Sequence, residues 1–64
     1  MIKLTRLNEK VFVLNDDLIE VIDETPDTII KLTNGHKIVV KETVDEVIEK
    51  IIKYKRKIHR SEVK

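Results

Sequence analysis

Apolar positions along this chain alternate first and cycle later. From Ile2 to Val40 they fall every second residue or in short β-branched runs; from Val44 onward they recur at three and four. The first pattern predicts strands and the second a helix. Ile2 and Leu4 oppose Lys3, Thr5 and Leu7, which predicts a strand over residues 2–7, turned by Asn8-Glu9-Lys10. Val11-Phe12-Val13-Leu14 is continuously apolar, so it reads as a second strand buried on both faces. Asn15-Asp16-Asp17 breaks it, because Asn and Asp side chains bond their own backbone in turns. Leu18 to Ile22 then sets Leu18, Glu20 and Ile22 against Ile19 and Val21. Its β-branched content favours a third strand, although Leu18, Ile19 and Ile22 also fit a helical turn.

Glu24-Thr25-Pro26-Asp27 closes that segment, with Pro26 unable to donate to a ladder. Two β-branched runs follow, on either side of Asn34-Gly35. Asn-Gly between such runs predicts a hairpin with a two-residue type I′ turn. In that register Thr33 faces His36, Lys31 faces Ile38, Ile30 faces Val39 and Ile29 faces Val40. One face of the ribbon then carries Ile30, Leu32 and Val39, and the other Ile29, Ile38 and Val40. Both faces are apolar, and a single helix covers only one of them.

The helix begins after Thr43. Thr43-Val44-Asp45-Glu46 has the spacing of a capping box. Val44, Val47, Ile48, Ile51 and Ile52 form an apolar stripe, which Lys55 interrupts and Ile58 resumes. Acidic residues come early in this segment and basic ones late, which suits the helix macrodipole. The helix is expected to fray after Ile58. The fold class is therefore α+β: an antiparallel meander of about five strands, open or curled towards a barrel, with one C-terminal amphipathic helix. Residues 1–60 make a single small domain and 61–64 a tail.

With 64 residues the core is small; a chain of this size buries only about 60% of its unfolded surface. There is no cysteine, so neither a disulfide nor a thiolate metal site staples it. Small domains without staples often gain burial by oligomerising. With the two-faced ribbon, this predicts a homo-oligomer, with Ile29, Ile38, Val40, Ile51 and Ile58 as candidate contact residues. No apolar run approaches the roughly 18 residues of a membrane span, and the N-terminus lacks a signal peptide's apolar stretch. Charge is nearly balanced overall but segregated along the chain. Residues 1–49 hold six Lys/Arg against eleven Asp/Glu, and residues 50–64 hold seven against one. Such asymmetry marks an interaction tail.

Little in the chain suggests catalysis. Asp16-Asp17 and Asp23-Glu24 with Asp27 are paired carboxylates, but they fall in turns, where Asp is common for backbone reasons. His36 and His59 have no ligand spacing between them, and the single glycine excludes a glycine-rich phosphate loop. No catalytic residue, metal or cofactor is expected. The basic helix end offers the candidate interaction residues Lys53, Lys55, Arg56, Lys57 and Arg60. Clustered cations of this kind meet phosphates of nucleic acid or anionic lipid headgroups; the bland alternative is a solvated helix end. Phe12 and Tyr54 are the only aromatic residues, which disfavours a stacking platform for single-stranded nucleic acid.

Six stretches, in order, resemble the small flagellar FlbD family: Ile2-Lys-Leu-Thr-Arg-Leu-Asn8, Phe12-Val-Leu-Asn15, Asp17-Leu-Ile-Glu20, Thr25-Pro-Asp-Thr28, Leu32-Thr-Asn-Gly35 and Val39-Val-Lys-Glu42. The likeness runs from Met1 to about Ile58. Where that family commonly has Asn-Gly in its first turn, this chain has Asn8-Glu9, which puts a type I′ turn there in doubt. The resemblance implies a non-enzymatic motility accessory that supports flagellar motor power for swarming through contacts with stator proteins. The lack of an apolar span and of a signal-peptide stretch reads as a bacterial cytoplasmic protein, and the motor role that the resemblance implies sets it at the periphery of the inner membrane. The rival reading is a small nucleic-acid-binding regulator that uses the basic helix end.

Overall fold

The computed structural model describes the backbone of residues 1–63 and the side chains of residues 1–58. Five strands precede one helix: β1 (Ile2–Thr5), β2 (Val11–Leu14), β3 (Ile19–Glu24), β4 (Thr28–Leu32), β5 (Lys37–Val40) and α1 (Val44–Val63). A single 3-10 turn, Asp16–Leu18, joins β2 to β3. Leu18 thus belongs to that turn, and the third strand starts one residue later than its alternation suggests. The helix runs on past Ile58 to Val63.

The strands are all antiparallel but fall into two sheets, β1-β2 and β3-β4-β5. No closed barrel forms among the described residues. A narrow seam joins the sheets: a single bridge pairs Arg6 with Val40, and the Lys41 N–H donates to the Thr5 carbonyl at 2.9 Å. Glu42 fastens the seam from the side. Its carboxylate accepts from the Thr5 N–H at 3.0 Å and from Thr5 Oγ1 at 2.9 Å. Burial alone raises the Glu42 pKa, but the two Thr5 hydrogen bonds, its own backbone and the Lys50 charge together hold this carboxyl below its ordinary value.

Both hairpins close with the same three-residue loop. In the β4-β5 hairpin the Gly35 N–H donates to the Leu32 carbonyl at 3.0 Å, and the Leu32 N–H to the His36 carbonyl at 2.8 Å. Asn34 Oδ1 accepts from the His36 N–H at 3.0 Å. In the β1-β2 hairpin the Glu9 N–H donates to Arg6 at 3.0 Å, the Arg6 N–H to Lys10 at 2.8 Å, and Asn8 Oδ1 accepts from the Lys10 N–H at 3.0 Å. Each is a turn followed by one left-handed residue, Gly35 at φ 88° and Glu9 at φ 73°. The expected two-residue type I′ turn at Asn34-Gly35 is not what forms: Asn34 keeps negative φ, and only the glycine crosses over.

Nothing lies within 4 Å of a Cβ placed on Gly35, so a side chain there is strained by φ and not by crowding. Gly35→Ala is expected to lower unfolding free energy by about 1–2 kcal/mol. Glu9→Gly, at the matching position of the other loop, is expected to raise it by roughly 0.5–1 kcal/mol, after subtracting the weak exposed pair that Glu9 makes with Lys41. Urea denaturation of the two variants checks both signs.

The extra loop residue shifts the β4-β5 register by one. Thr28 pairs with Val40, Ile29 with Val39, Ile30 with Ile38 and Lys31 with Lys37. A slip of one residue exchanges the faces of a strand. Ile30, Leu32, Ile38 and Val40 consequently share the inner face. Ile29 and Val39 share the outer one with the exposed Lys31 and Lys37. The ribbon is not apolar on both faces, which corrects the expectation on which self-association first rested. β2 is not buried on both faces either. Phe12 and Leu14 turn inward, while Val11 and Val13 are 64% and 59% exposed. A short apolar run leaves the burial of its faces undetermined.

The core consists of Ile2, Leu4, Leu14, Ile30, Leu32, Val40 and Val47, with Phe12, Ile19, Ile22, Ile38, Ile51 and Tyr54 packed against it. A register shift between Ile19 and Val21 lets β3 present both Ile19 and Ile22 inward. The helix lies over this core against β1 and β3. Its start is the capping box: the Thr43 N–H donates to Glu46 Oε1 at 2.8 Å and the Glu46 N–H to Thr43 Oγ1 at 3.1 Å.

Candidate functional site

Two features of the surface are available for function: the basic half of α1 and the apolar side chains the fold leaves uncovered. Lys53 and Arg56 are exposed, and Lys53 lies 4.0 Å from Glu49, one helical turn back. Lys57 is exposed as well. The Arg60 side chain lies outside the described residues.

Lys55 behaves differently. Its ammonium donates to Asp17 Oδ1 at 2.7 Å and stands 3.3 Å from Asp16 Oδ2. Asp16 is the buried charge among the described residues, its side chain only 2% exposed. Asp16 Oδ1 accepts from the Met1 α-ammonium at 3.1 Å. Oδ2 has no hydrogen bond and is held by the Lys55 charge. The Asn15 side chain accepts from the Asp17 N–H at 3.1 Å and orders the turn that presents both carboxylates. Burial alone raises the Asp16 pKa, but the α-ammonium, its own backbone and Lys55 together hold the carboxyl below its usual value. The Asp17 carboxylate, then that of Asp16, lifts the Lys55 pKa above its usual value. Lys55 therefore clasps the helix to the 3-10 turn and does not point outward with Lys53 and Arg56. The sequence shows it as a gap in the apolar stripe and as one more cation of the basic end, with no sign of the clasp.

The predicted contact residues are divided by the fold. Val40 is 1% exposed and belongs to the protomer's own core. Ile38 and Ile51 pack against that core. Ile29 is half-buried on the outer sheet face, and Ile58 is half-buried on the helix. The exposed apolar side chains lie elsewhere: Met1, Leu7, Leu18 and Val21 singly, Val11 and Val13 on β2, and Ile48 and Ile52 on α1. In the sequence the β2 and α1 pairs sit inside apolar runs or stripes, so nothing local marks them as uncovered.

The remaining chemistry is sparse. A shallow depression of about 210 Å³ lies between the β3-β4 turn and the seam, lined by residues that include Leu7, Glu24, Asp27 and Thr43. Glu24 Oε1 accepts from the Val44 N–H at 3.4 Å there, so this carboxylate supports the helix start. Among the described residues no group of three or more His, Cys, Asp and Glu side chains is placed to hold a metal ion. No helix among them is long and apolar enough to cross a membrane. The Arg6 guanidinium sits 4.3 Å over the Phe12 ring as a cation–π contact.

Comparison with curated proteins gives no match, and neither does comparison with solved structures. A family model described as FlbD, flagellar and swarming motility proteins, matches residues 1–59. That span takes in both sheets, the seam, the clasp and most of the helix, and the chain belongs to the FlbD family of flagellar and swarming motility proteins.

Proposed function

We propose that this protein is a non-enzymatic accessory of the flagellar motor, supporting motor power during swarming through contacts with stator proteins on the cytoplasmic side of the inner membrane. Family membership over residues 1–59 carries this reading. The surface chemistry supports it. Buried Asp16 and part-buried Glu42 are tied into the fold by hydrogen bonds, as supports and not as an exposed acid–base pair. The exposed cations Lys53 and Arg56 stand on a helix whose opposite face is anchored by Val47. A rigid helix face of this kind suits contact with an acidic partner surface. Lys55 is withdrawn from that face by its clasp, which leaves fewer cations for a phosphate backbone and weighs against a nucleic-acid role.

Deletion of the gene is expected to abolish swarming, and Lys53→Glu with Arg56→Glu is expected to reproduce the defect in a chain that still folds. Stator proteins should be retained by the wild-type chain in a pull-down and lost with the double variant. Point substitution is preferable to truncation at Lys53, which also removes Tyr54 and Lys55 from the core and the clasp. Normal swarming in the deletion strain would rule the reading out.

A further inference from the structure

The helix is wider in apolar residues than the core it covers. Val47, Ile51 and Tyr54 face inward. Ile48 and Ile52, one turn apart on the neighbouring flank, stay 42% and 45% exposed. Asp45, Glu49 and Arg56 share this flank at helical spacing, and all three are exposed. The flank therefore reads acidic, apolar, acidic, apolar, basic along the axis.

We propose that this flank is the contact between two copies of the chain, related by a twofold axis, with the two helices running antiparallel and crossing near residue 50. The charge order selects the occupant and its direction. A parallel copy would set Asp45 against Asp45 and Arg56 against Arg56. An antiparallel copy sets Ile48 of each chain against Ile52 of the other and Asp45 of each against Arg56 of the other. Every contact then occurs twice, as an isologous interface requires. Ile48 and Ile52 then form the apolar middle of the contact, with Asp45 and Arg56 at its two ends and Glu49 beside the isoleucines, 4.0 Å from Lys53 of its own helix. A protomer with seven buried apolar residues among those described gains from further burial. The clasp keeps the flank in place, because Lys55 holds the helix one turn beyond Ile52. The proposal does not depend on the motor assignment and swarming does not enter its test; Arg56 is the one residue shared with the stator reading, while Asp45, Ile48 and Ile52 belong to this contact alone.

Sedimentation equilibrium of the wild-type chain at high micromolar concentration is expected to give twice the 7.5 kDa chain mass. Ile48→Gln with Ile52→Gln should raise the dimer dissociation constant by about tenfold or more. Asp45→Lys and Arg56→Glu, each alone, should weaken the dimer to a similar degree, since each sets like charges together twice. Mixing these two single variants should restore a dimer, because both symmetry-related pairs become opposite in sign again in the heterodimer alone. Circular dichroism checks that each variant keeps its helix. The glutamine variant, altered only at half-exposed positions, gives a readout separate from helix-dipole effects. A wild-type chain that stays at its single mass, variants that dimerise as tightly as wild type, or a mixture no tighter than its components would each overturn the proposal.

Discussion

Ile30→Ala is expected to cost about 2–5 kcal/mol of folding stability, the range for removing most of a buried aliphatic side chain. A domain of 64 residues has on the order of 3–10 kcal/mol in total. The loss therefore moves much of the population to the unfolded state at moderate temperature. Ile30 is fully buried on the central strand β4, between Ile22 of β3 and Ile38 of β5 in the observed pairing. Its neighbour Ile29 is only half-buried, on the outer face beside Val39. Ile29→Ala should cost well under half as much. Urea denaturation of the two variants measures the contrast. Comparable losses at both positions would contradict the one-residue register shift.

Asp16→Asn should cost about 1–3 kcal/mol at neutral pH, the cost of leaving charged partners of a buried group unmatched. The figure is below that for a fully buried ion pair, because Lys55 is 43% exposed and water screens it in part. The pH dependence follows from the direction of the shift. The folded-state pKa of Asp16 lies below its ordinary 3.8, so its contribution is complete above that value and disappears as pH falls through the folded pKa. Wild type and Asp16→Asn should thus differ at pH 7 and converge in strong acid. Glu42 titrates with the same sign in both proteins and does not affect their difference. Stability curves from pH 2 to pH 7 provide the measurement; a gap that persists undiminished at the acid end would show that the ionised carboxylate is not the source.

What the sequence revealed was local. The capping box at Thr43 and Glu46 is readable because its donors and acceptors lie three residues apart. The number and order of strands follow from alternation and from Asn, Asp, Pro and Gly between the runs. Asn34-Gly35 located the hairpin correctly but not its register. The same dipeptide serves a two-residue or a three-residue loop, and the choice rests on whether Asn34 crosses to positive φ or accepts from the His36 N–H, as it does here. The inward turn of Ile22 depends on the irregularity after Ile19, which no residue type announces. The clasp was hidden for another reason: Lys55 and Asp17 are 38 positions apart, so neither side of the pair carries a sign of the other. On the candidate surface, Lys53 and Arg56 were identifiable from charge alone. Ile48 and Ile52 look no different from core residues until the width of the covered face is known.

The seam has a mechanical consequence. Among the described residues one bridge, a backbone hydrogen bond, the Glu42–Thr5 pair and the exposed Lys41–Glu9 pair link the two sheets, and they divide the molecule into a two-stranded flap and a three-stranded body, with the helix strapped across both. Local opening follows the weakest line of backbone hydrogen bonds. The flap is therefore the part that lifts first, and amide protons of β1 and β2 should be exchanged with solvent through that partial opening while those of β4 wait for the whole chain to come apart.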